Sequence, residues 1–207
     1  MRLILVRHGE SEGNARGVVQ GHMDFGLSAL GQEQAQATAE RLAGEHVDRL
    51  ITSPLRRASE TAEVIASRLG LTVEPEPGLM EYDIGAASGL TGAEIRERHP
   101  QVIEAYARGE RPQFPGEEGR DVFQERILAV LEALKPRDET VVAVAHGGVV
   151  SALCAAVVGI DGRRPGIFQA ANCSITEMFT DRLGQVVIRY HNETCHLGGL
   201  VTAIDRG

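Results

Sequence analysis

The sequence opens with a short aliphatic run. Two side chains that can bind or react with a ligand follow it directly. Leu3-Ile4-Leu5-Val6 is typical of a strand buried on both faces, as in the interior of a parallel sheet. Arg7 and His8 follow at its carboxyl end, and Gly9 lets the backbone approach whatever binds there. Because ligands of open α/β sheets lie beyond the carboxyl ends of the strands, this pair occupies the position of a site. The alternative is a strand end whose polar residues face solvent.

The same arrangement recurs late in the chain. Val141-Val142-Ala143-Val144-Ala145 is a second aliphatic run, and His146 and Gly147 follow it directly. Two buried strands that end in the same way predict that His8 and His146 lie close together at one edge of a sheet. A single histidine is more often structural, but two in the same setting favour a functional site.

The composition excludes several classes of partner. The 207 residues carry a formal net charge of −8, and aromatic residues make up 4% of the chain without any Trp. This balance argues against a nucleic-acid partner, although it leaves room for a local basic pocket. The sequence has neither a membrane-spanning run nor a signal-peptide pattern, which predicts a cytoplasmic protein with no membrane association. The three cysteines are widely spaced, so neither a disulfide framework nor a zinc site is indicated.

Strand and helix patterns alternate along the chain. Ser28 is the expected N-cap of a helix over 31–43, and Ser53-Pro54 is the expected start of a helix that Gly70 ends. Further helices are expected over 93–108, 122–134 and 149–158, with short strands at 50–52, 71–73, 174–180 and 186–189. This order predicts one α/β domain over residues 1–207, a three-layer α/β/α sandwich with a mostly parallel central sheet. The polar, proline-containing stretch over 109–119 is either part of a lid region around 83–120 or a long connector.

Two adjacent arginines, Arg56 and Arg57, lie in the expected first turn of the second helix. Cations at a helix start oppose the helix dipole, an arrangement that makes more sense if an anion binds there. Two solvated arginines are the alternative. The helical period alone does not decide which of the two faces a ligand.

Together these motifs resemble the histidine phosphatases, the family that includes cofactor-dependent phosphoglycerate mutase. Arg7-His8-Gly9-Glu10 matches the family signature R-H-G-E, and Ser53-Pro54-Leu55-Arg56-Arg57-Ala58 is similar to its S-P-L-x-R-A motif. Leu79-Met80-Glu81 resembles the segment that carries the family's proton-donating glutamate, and His146-Gly147 resembles its second histidine. The likeness spans nearly the whole chain and implies the phosphoglycerate mutase-like fold.

The resemblance also implies a role for each residue of the motifs. In the family the arginine directly before the alanine reaches the phosphate, which selects Arg57 over Arg56. The catalytic residues implied are His8, Glu81 and His146. The substrate-binding residues expected with them are Arg7, Asn14, Gln20, Gly21, Arg57 and Gly147.

The charge of a phosphomonoester independently favours the residues that the resemblance implies. Such a group carries about two negative charges, so the attacking atom must be neutral and donors must neutralise the oxygens. A neutral His8 imidazole beside Arg7 and Arg57 meets both conditions, and Glu81 would give a proton to the leaving group and later activate water. This scheme needs no metal and no other cofactor. The sequence therefore predicts a metal-independent phosphomonoester hydrolase that acts on a small phosphorylated metabolite through a phosphohistidine.

Three other functions were weighed against this prediction. A metal-dependent hydrolase would need ligand spacing such as H-x-H or H-E-x-x-H, and the sequence contains neither. A non-catalytic phospho-ligand module would keep the arginines without needing both histidines and Glu81. A phosphoglycerate mutase must exclude water during reorientation of its intermediate, and the mutases resembled are typically longer, so hydrolysis is preferred and the mutase is the alternative. A homodimer is an open expectation.

Overall fold

Six strands form the central sheet of the computed structural model. They are β1 (Arg2–Arg7), β2 (Arg49–Thr52), β3 (Val73–Pro75), β4 (Thr140–Ala145), β5 (Ile175–Thr180) and β6 (Val186–Glu193), in the order β3-β2-β4-β1-β5-β6. The structure describes residues 1–110, 112–160 and 167–202. The first four strands pair in parallel, whereas β5 is antiparallel to β1 and β6 is antiparallel to β5. The predicted, mostly parallel sheet is confirmed.

Helices cover both faces of this sheet. They are α1 (Glu12–Ala15), α2 (Ala29–Leu42), α3 (Arg56–Leu69), α4 (Gly92–Arg98), α5 (Pro100–Ala107), α6 (Arg120–Leu134) and α7 (Gly147–Val157). Successive side chains of β1 point to opposite faces, so Ile4 and Val6 pack against α2 and α3 while Leu3 and Leu5 pack against α6 and α7. The three-layer α/β/α sandwich is therefore confirmed. No helix within the described ranges is long and apolar enough to cross a membrane.

The helix ends follow the expected signals in part. Ser28 Oγ accepts the N–H of Gly31 at 3.0 Å, and Gly70 ends α3 with a left-handed φ of 68°, both as predicted. The prediction that Ser53 caps α3 was wrong. That helix begins at Arg56 with Leu55 in the N-cap position and no side-chain cap, because the chain from Ser53 to Leu55 leaves β2 in a bend first.

The single helix expected over 93–108 is two helices, α4 and α5. They meet at His99, whose φ of −129° and ψ of 48° are not helical. Pro100 causes the break, since its ring disfavours helical backbone at the preceding residue while fitting well at the first position of a new helix. The strand expected at 71–73 lies two residues later, at Val73–Pro75, and the last strand extends to Glu193.

The region from 83 to 120, of which Arg111 lies outside the described residues, packs around an apolar cluster of its own. The buried members of this cluster are Ala87, Leu90 and Ile95. Backbone hydrogen bonds tie it to the loop after α1: Val19 N–H donates to Leu90 O at 2.9 Å, and Gly89 N–H donates to Val19 O at 2.7 Å. The region thus forms a cap beside the carboxyl ends of the strands, and its closure as a lid stays a prediction.

Candidate active site

His8 lies directly after β1, buried with 3% of its surface exposed. Its Nδ1 lies 2.7 Å from the carbonyl oxygen of Gly9, and a carbonyl can only accept, so Nδ1 carries the proton. Nε2 of the neutral ring is then the atom with a lone pair. Burial lowers the pKa of His8 well below its ordinary value, and the positive charges of Arg57 and Arg7 lower it further. The ring is therefore neutral around pH 7.

His146 lies beside His8 because β1 and β4 are adjacent parallel strands in register, with Arg7 opposite Ala145. The two ring centroids are 5.1 Å apart, with 59° between the ring planes. Burial lowers the pKa of His146 as well, helped by the charge of Arg57. Its Nδ1 is buried and has no hydrogen-bond partner among the described residues. A neutral imidazole thus presents one open ring nitrogen at this edge of the sheet.

Ser53 orients His146, a role that the sequence pattern, which predicts a helix cap, does not reveal. Ser53 Oγ lies 2.8 Å from His146 Nε2 and also accepts the N–H of Leu55 at 3.3 Å. A hydroxyl can donate as well as accept, so Ser53 can give its hydrogen to Nε2, and in that arrangement the ring proton lies on Nδ1. The signal available in the sequence was the position of Ser53 directly after β2, a neighbour of β4 in the same sheet.

The two arginines predicted to bind phosphate flank the histidines. Arg57 has only 1% of its surface exposed and donates from Nη1 to Met23 O and from Nη2 to Gly21 O, both at 2.9 Å. Burial lowers the pKa of Arg57 to about 10, so the guanidinium stays charged at neutral pH. Arg7 donates from Nη1 to Ala170 O at 2.6 Å. Both guanidiniums are thus fixed by backbone carbonyls.

Arg56 behaves differently from its neighbour. Its guanidinium is exposed and donates from Nε to Glu60 Oε1 at 2.6 Å, one turn along α3. Arg57 is thus the buried member of the pair, and its charge lowers the pKa of both His8 and His146. The burial of Arg57 supports its choice over Arg56, and its binding to a phosphate stays a prediction.

The loop after His8 is folded around Ser11. Ser11 caps α1, and its backbone N–H donates to Asn14 Oδ1 at 3.1 Å. Since this oxygen already accepts from Ser11, Asn14 can meet an anion only through its amide hydrogens. Gln20 Oε1 accepts from Ser11 Oγ at 2.8 Å, and a Cβ on Gly13 would lie 2.6 Å from Gln20 Cδ. Gln20 therefore shapes the loop that holds Asn14.

Glu81 reaches the same edge from the other side of the sheet. Its Oε2 accepts the N–H of Gly148 at 3.0 Å, and its Oε1 accepts the N–H of Tyr82 at 2.9 Å. Gly148 lies in the first turn of α7, which begins immediately after His146, so the carboxylate sits at a helix N-terminus. A Cβ on Gly148 would come within 2.2 Å of Glu81 Oε1, so glycine is required for this contact.

Two further residues bind the backbone at His8 and Gly9. Thr61 Oγ1 accepts the N–H of Gly9 at 3.1 Å, and Asn172 Nδ2 donates to His8 O at 3.0 Å. Thr61 was not predicted, although a threonine on the apolar stripe of α3, next to Ala58 and Ala62, was the available signal. Both contacts fix the backbone that carries the His8 ring.

The assembled site suits an anion rather than a metal cation. Its charged groups near the two histidines are Arg7 and Arg57, with the Glu81 carboxylate to one side. No group of three or more His, Cys, Asp or Glu side chains in the described part of the chain is arranged to hold a metal ion. Paired guanidiniums match the planar oxygens of a phosphate, and a neutral imidazole between them is an effective nucleophile.

Comparison with known proteins agrees with this chemistry. The family model of the histidine phosphatase superfamily (branch 1) matches residues 3–193, and the chain belongs to this family. Phosphoserine phosphatase 1 of Hydrogenobacter thermophilus is 35% identical over 203 residues, covering 96% of this chain and 95% of that protein. Glucosyl-3-phosphoglycerate phosphatase of Mycolicibacterium vanbaalenii is 36% identical over 168 residues, covering 77% and 75% of the two chains.

A solved structure extends the comparison to the fold. The crystal structure of phosphoserine phosphatase from Entamoeba histolytica in complex with 3-phosphoglyceric acid superposes with a TM-score of 0.82 at 29% identity, covering 95% of this chain and 98% of that one. The predicted family, fold and enzyme class are thus confirmed: this chain is a phosphoric monoester hydrolase of the histidine phosphatase type. These three relatives are named as phosphatases, and their names support hydrolysis.

Proposed function

We propose that His8 is the nucleophile and that its Nε2 takes the phosphoryl group of a small phosphorylated metabolite. The observation that carries this proposal is the hydrogen bond from His8 Nδ1–H to Gly9 O, 2.7 Å long. It fixes the tautomer in which Nε2 holds the lone pair, and the lowered pKa keeps the ring neutral at physiological pH. Nucleophile, orientation and protonation state are thus set before substrate arrives.

The non-bridging phosphate oxygens would be held by the fixed donors around His8. Arg7 and Arg57 supply guanidinium N–H groups, Asn14 supplies its amide hydrogens and His146 supplies Nδ1–H. Gly147 N–H, at the start of α7, offers a further backbone donor beside them. Donors that are already fixed cost no reorganisation as charge moves onto these oxygens, which is the main source of stabilisation in such a transfer.

Glu81 is the proposed acid and base. In the first step the lone pair of His8 Nε2 forms the P–N bond while the P–O bond to the leaving group breaks, and Glu81 gives its proton to that oxygen. In the second step water attacks phosphorus, the P–N bond breaks with its electron pair returning to Nε2, and Glu81 takes the proton from the water. The products are the dephosphorylated metabolite and inorganic phosphate.

The organic part of the substrate would lie toward the loop that holds Gln20, Gly21 and His22. Arg57 fixes this loop through Gly21 O, while Gln20 is turned inward to Ser11. The relatives are named for phosphoserine and for glucosyl-3-phosphoglycerate, which share a phosphomonoester and differ in the rest of the molecule. This supports recognition centred on the phosphate of a small metabolite.

Trapping of the intermediate tests the proposal. Enzyme quenched during turnover of a ³²P-labelled phosphomonoester should carry acid-labile, base-stable label, and His8→Ala should carry none. His46→Ala is the matched control, since that histidine is 85% exposed and pairs only with Asp48 among the described residues. Equal labelling of native enzyme and His8→Ala, or near-native turnover by that variant, would overturn the assignment.

A substrate screen tests the class of substrate. Phosphate release is measured from sugar phosphates, phosphoglycerates, phosphoamino acids and nucleotides, and 3-phosphoglycerate with 2,3-bisphosphoglycerate is also followed for isomerisation. Release of phosphate from a small metabolite at the highest kcat/KM is expected. Formation of 2-phosphoglycerate faster than free phosphate would replace the hydrolase by the mutase.

The net charge of −8 argues against binding to nucleic acid.

We also propose a cytoplasmic location and a homodimer. Cell fractionation tests the location, and sedimentation equilibrium tests the dimer, which a mass of 22.3 kDa in solution would contradict.

A further inference from the structure

Arg126 on α6 grips the backbone of the segment that carries Glu81. Its Nη1 donates to Gly78 O at 3.0 Å and to Met80 O at 2.6 Å, and its Nη2 donates to Glu81 O at 2.9 Å. One guanidinium therefore bonds three carbonyls within four residues. The segment has little regular structure of its own, only the short turn Pro77–Leu79, so contacts of this kind satisfy its backbone carbonyls.

The remaining donors of Arg126 hold Glu118. Nε lies 3.2 Å from Glu118 Oε1 and Nη2 lies 3.1 Å from Oε2, and the side chains are only 23% and 14% exposed. The guanidinium also lies over the Phe123 ring, 4.7 Å from its centroid. A planar fork is needed to bond a carboxylate and three carbonyls at once, which lysine does not provide.

Glu118 binds the backbone on the C-terminal side of Glu81. Its Oε2 accepts the N–H of Asp83 at 3.0 Å, and its own N–H donates to Asp83 O at 3.1 Å. The ion pair of Arg126 and Glu118 thus brackets the chain before and after Glu81. His22 adds a third contact, because its Nε2 lies 2.7 Å from Glu81 O. The Glu81 carbonyl is therefore held by two side chains, neither of which touches its carboxylate.

We propose that Arg126 is a positioning residue for Glu81, which sets where the carboxylate lies relative to the leaving oxygen. The inference rests on the proposed function, since it assumes that Glu81 transfers the proton. Proton transfer requires the donor within hydrogen-bond reach of the departing atom, and a misplacement of about 1 Å costs roughly a hundredfold in rate. Rotation of the peptide bond between Met80 and Glu81 would move the Glu81 carboxylate away from Gly148 N–H by about 1 Å.

A leaving-group series separates this role from general support of the fold. The value of kcat/KM reports the steps up to transfer of the phosphoryl group to His8, so it depends on the proton donor only when the leaving oxygen is basic. Arg126→Lys should lower kcat/KM by about 30- to 100-fold for an alkyl phosphate. For 2,4-dinitrophenyl phosphate, whose leaving group needs no proton, the loss should stay within about threefold.

Arg49→Lys is the matched control. Arg49 also holds a carboxylate with Nε and Nη2, at 3.2 and 2.6 Å from Glu74, but it lies at the start of β2, the end of the sheet away from the histidines. Its variant should leave kcat/KM unchanged for both substrates. If Arg126→Lys does not fold, judged by thermal unfolding, Glu118→Ala gives a second comparison, because it removes the carboxylate that holds both the Arg126 guanidinium and the Asp83 N–H.

Glu81→Gln distinguishes failure of this inference from failure of the proposed function. Glu81→Gln should lower kcat/KM for the alkyl phosphate alone, whereas kcat should fall for both substrates because Glu81 is also the base of the second step. Adding Arg126→Lys should cost no more in kcat/KM, because the positioned group is gone. Equal loss of kcat/KM on both substrates in Glu81→Gln would contradict the proton-transfer role itself. Two results would overturn only the positioning role while Glu81→Gln behaves as expected. One is an equal loss of kcat/KM on both substrates in Arg126→Lys. The other is a double variant whose loss is the sum of the two single losses.

Discussion

The rings of His8 and His146 lie 5.1 Å apart, and each has one nitrogen bound by the protein: Nδ1 of His8 by Gly9 O, and Nε2 of His146 by Ser53 Oγ. The protein therefore holds His8 through Nδ1 and His146 through Nε2. The remaining nitrogens, Nε2 of His8 and Nδ1 of His146, are left for a ligand. When the Ser53 hydroxyl donates to Nε2, one ring presents a lone pair and the other presents a proton, which is the complement needed to attack phosphorus and to bind one of its oxygens. Adjacent parallel strands alone would bring the rings together, but the two supporting oxygens give them different tasks.

Arg57 and Arg56 should differ sharply when substituted. We expect Arg57→Lys to lower kcat/KM by about 100- to 1000-fold, because a compact ammonium does not keep the planar, paired donors of a guanidinium that is fixed on Gly21 and Met23. Arg56→Lys should stay within about twofold, since its exposed ion pair with Glu60 contributes little. Steady-state kinetics on one substrate checks both. Comparable losses would mean that the wrong arginine has been assigned to the phosphate.

Stability should fall as the pH drops below about 6.5. His8 and His146 have lowered pKa values in the folded protein, so the unfolded chain binds more protons than the folded one in this range. Their contribution is complete above the pKa of unfolded histidine, about 6.5, and is lost on acidification by up to about 1.4 kcal/mol per pH unit for each ring. Urea unfolding between pH 5 and 8 measures this slope.

Substitution of one ring tests the source of that slope. His8→Asn should reduce the pH dependence of the free energy of unfolding between pH 5 and 6.5 by about one proton. His46→Asn, which changes an exposed ring, serves as the control. An unchanged slope in His8→Asn would show that this buried imidazole does not bind a proton on unfolding as the argument requires.

Ser53→Ala should harm kcat more than KM. The variant leaves His146 Nε2 buried without its 2.8 Å partner, at a cost of about 1 to 3 kcal/mol in the free energy of unfolding. It also frees the ring to carry its proton on Nε2, which would turn a bare lone pair toward the phosphate oxygens. We expect about a tenfold loss of kcat, by analogy with other orienting partners of functional histidines. Thermal unfolding and kinetics check the two effects, and an unchanged kcat would contradict the orienting role.

Gly31→Ala should destabilise the protein although Gly31 lies in a helix. Alanine in a helix is normally better than glycine by about 1 kcal/mol. Here a Cβ would lie 2.0 Å from Glu10 O, so the loop that follows His8 would have to move, at about 1 to 3 kcal/mol. Gly44→Ala is the control, since its Cβ would meet nothing within 4 Å. Urea unfolding compares them, and a stabilised Gly31→Ala would refute the close approach of α2 to this loop.

Activity should survive chelators. Arg7, Arg57 and His146 supply the positive charge and donors that a metal would otherwise bring, and the described residues hold no cluster with metal ligands. Phosphate release with and without EDTA checks this expectation. Loss of activity that a divalent cation restores would count against it.

The parts of the fold that the sequence predicts are those with a local or periodic signal. The aliphatic runs of β1 and β4, and Gly70 with its left-handed φ, each carry their signal within a few residues. His8 and His146 were predicted to meet because parallel strands share an edge. These inferences depend on neighbours in the chain or on a general property of sheets.

The parts that were missed depend on contacts between distant residues. Ser53 has the local pattern of a helix cap, and only its distance of 2.8 Å from His146 reveals its other use. Arg126 occupies an ordinary helical position, and its grip on the Glu81 segment depends on how α6 packs in space. Periodicity reports which face of an element is buried, but it does not report which atoms meet there.

The position of β1 has a consequence for how the enzyme loses activity. This strand is paired on both sides, with β4 and with β5, so its amide hydrogens are released only when the sheet as a whole opens. His8 is attached to its end. Partial opening at the sheet edges, at β3 or β6, therefore leaves His8 in place, and the rate of heat inactivation should follow the opening of β1, measured by deuterium uptake where exchange is faster than reclosing, rather than that of the edges.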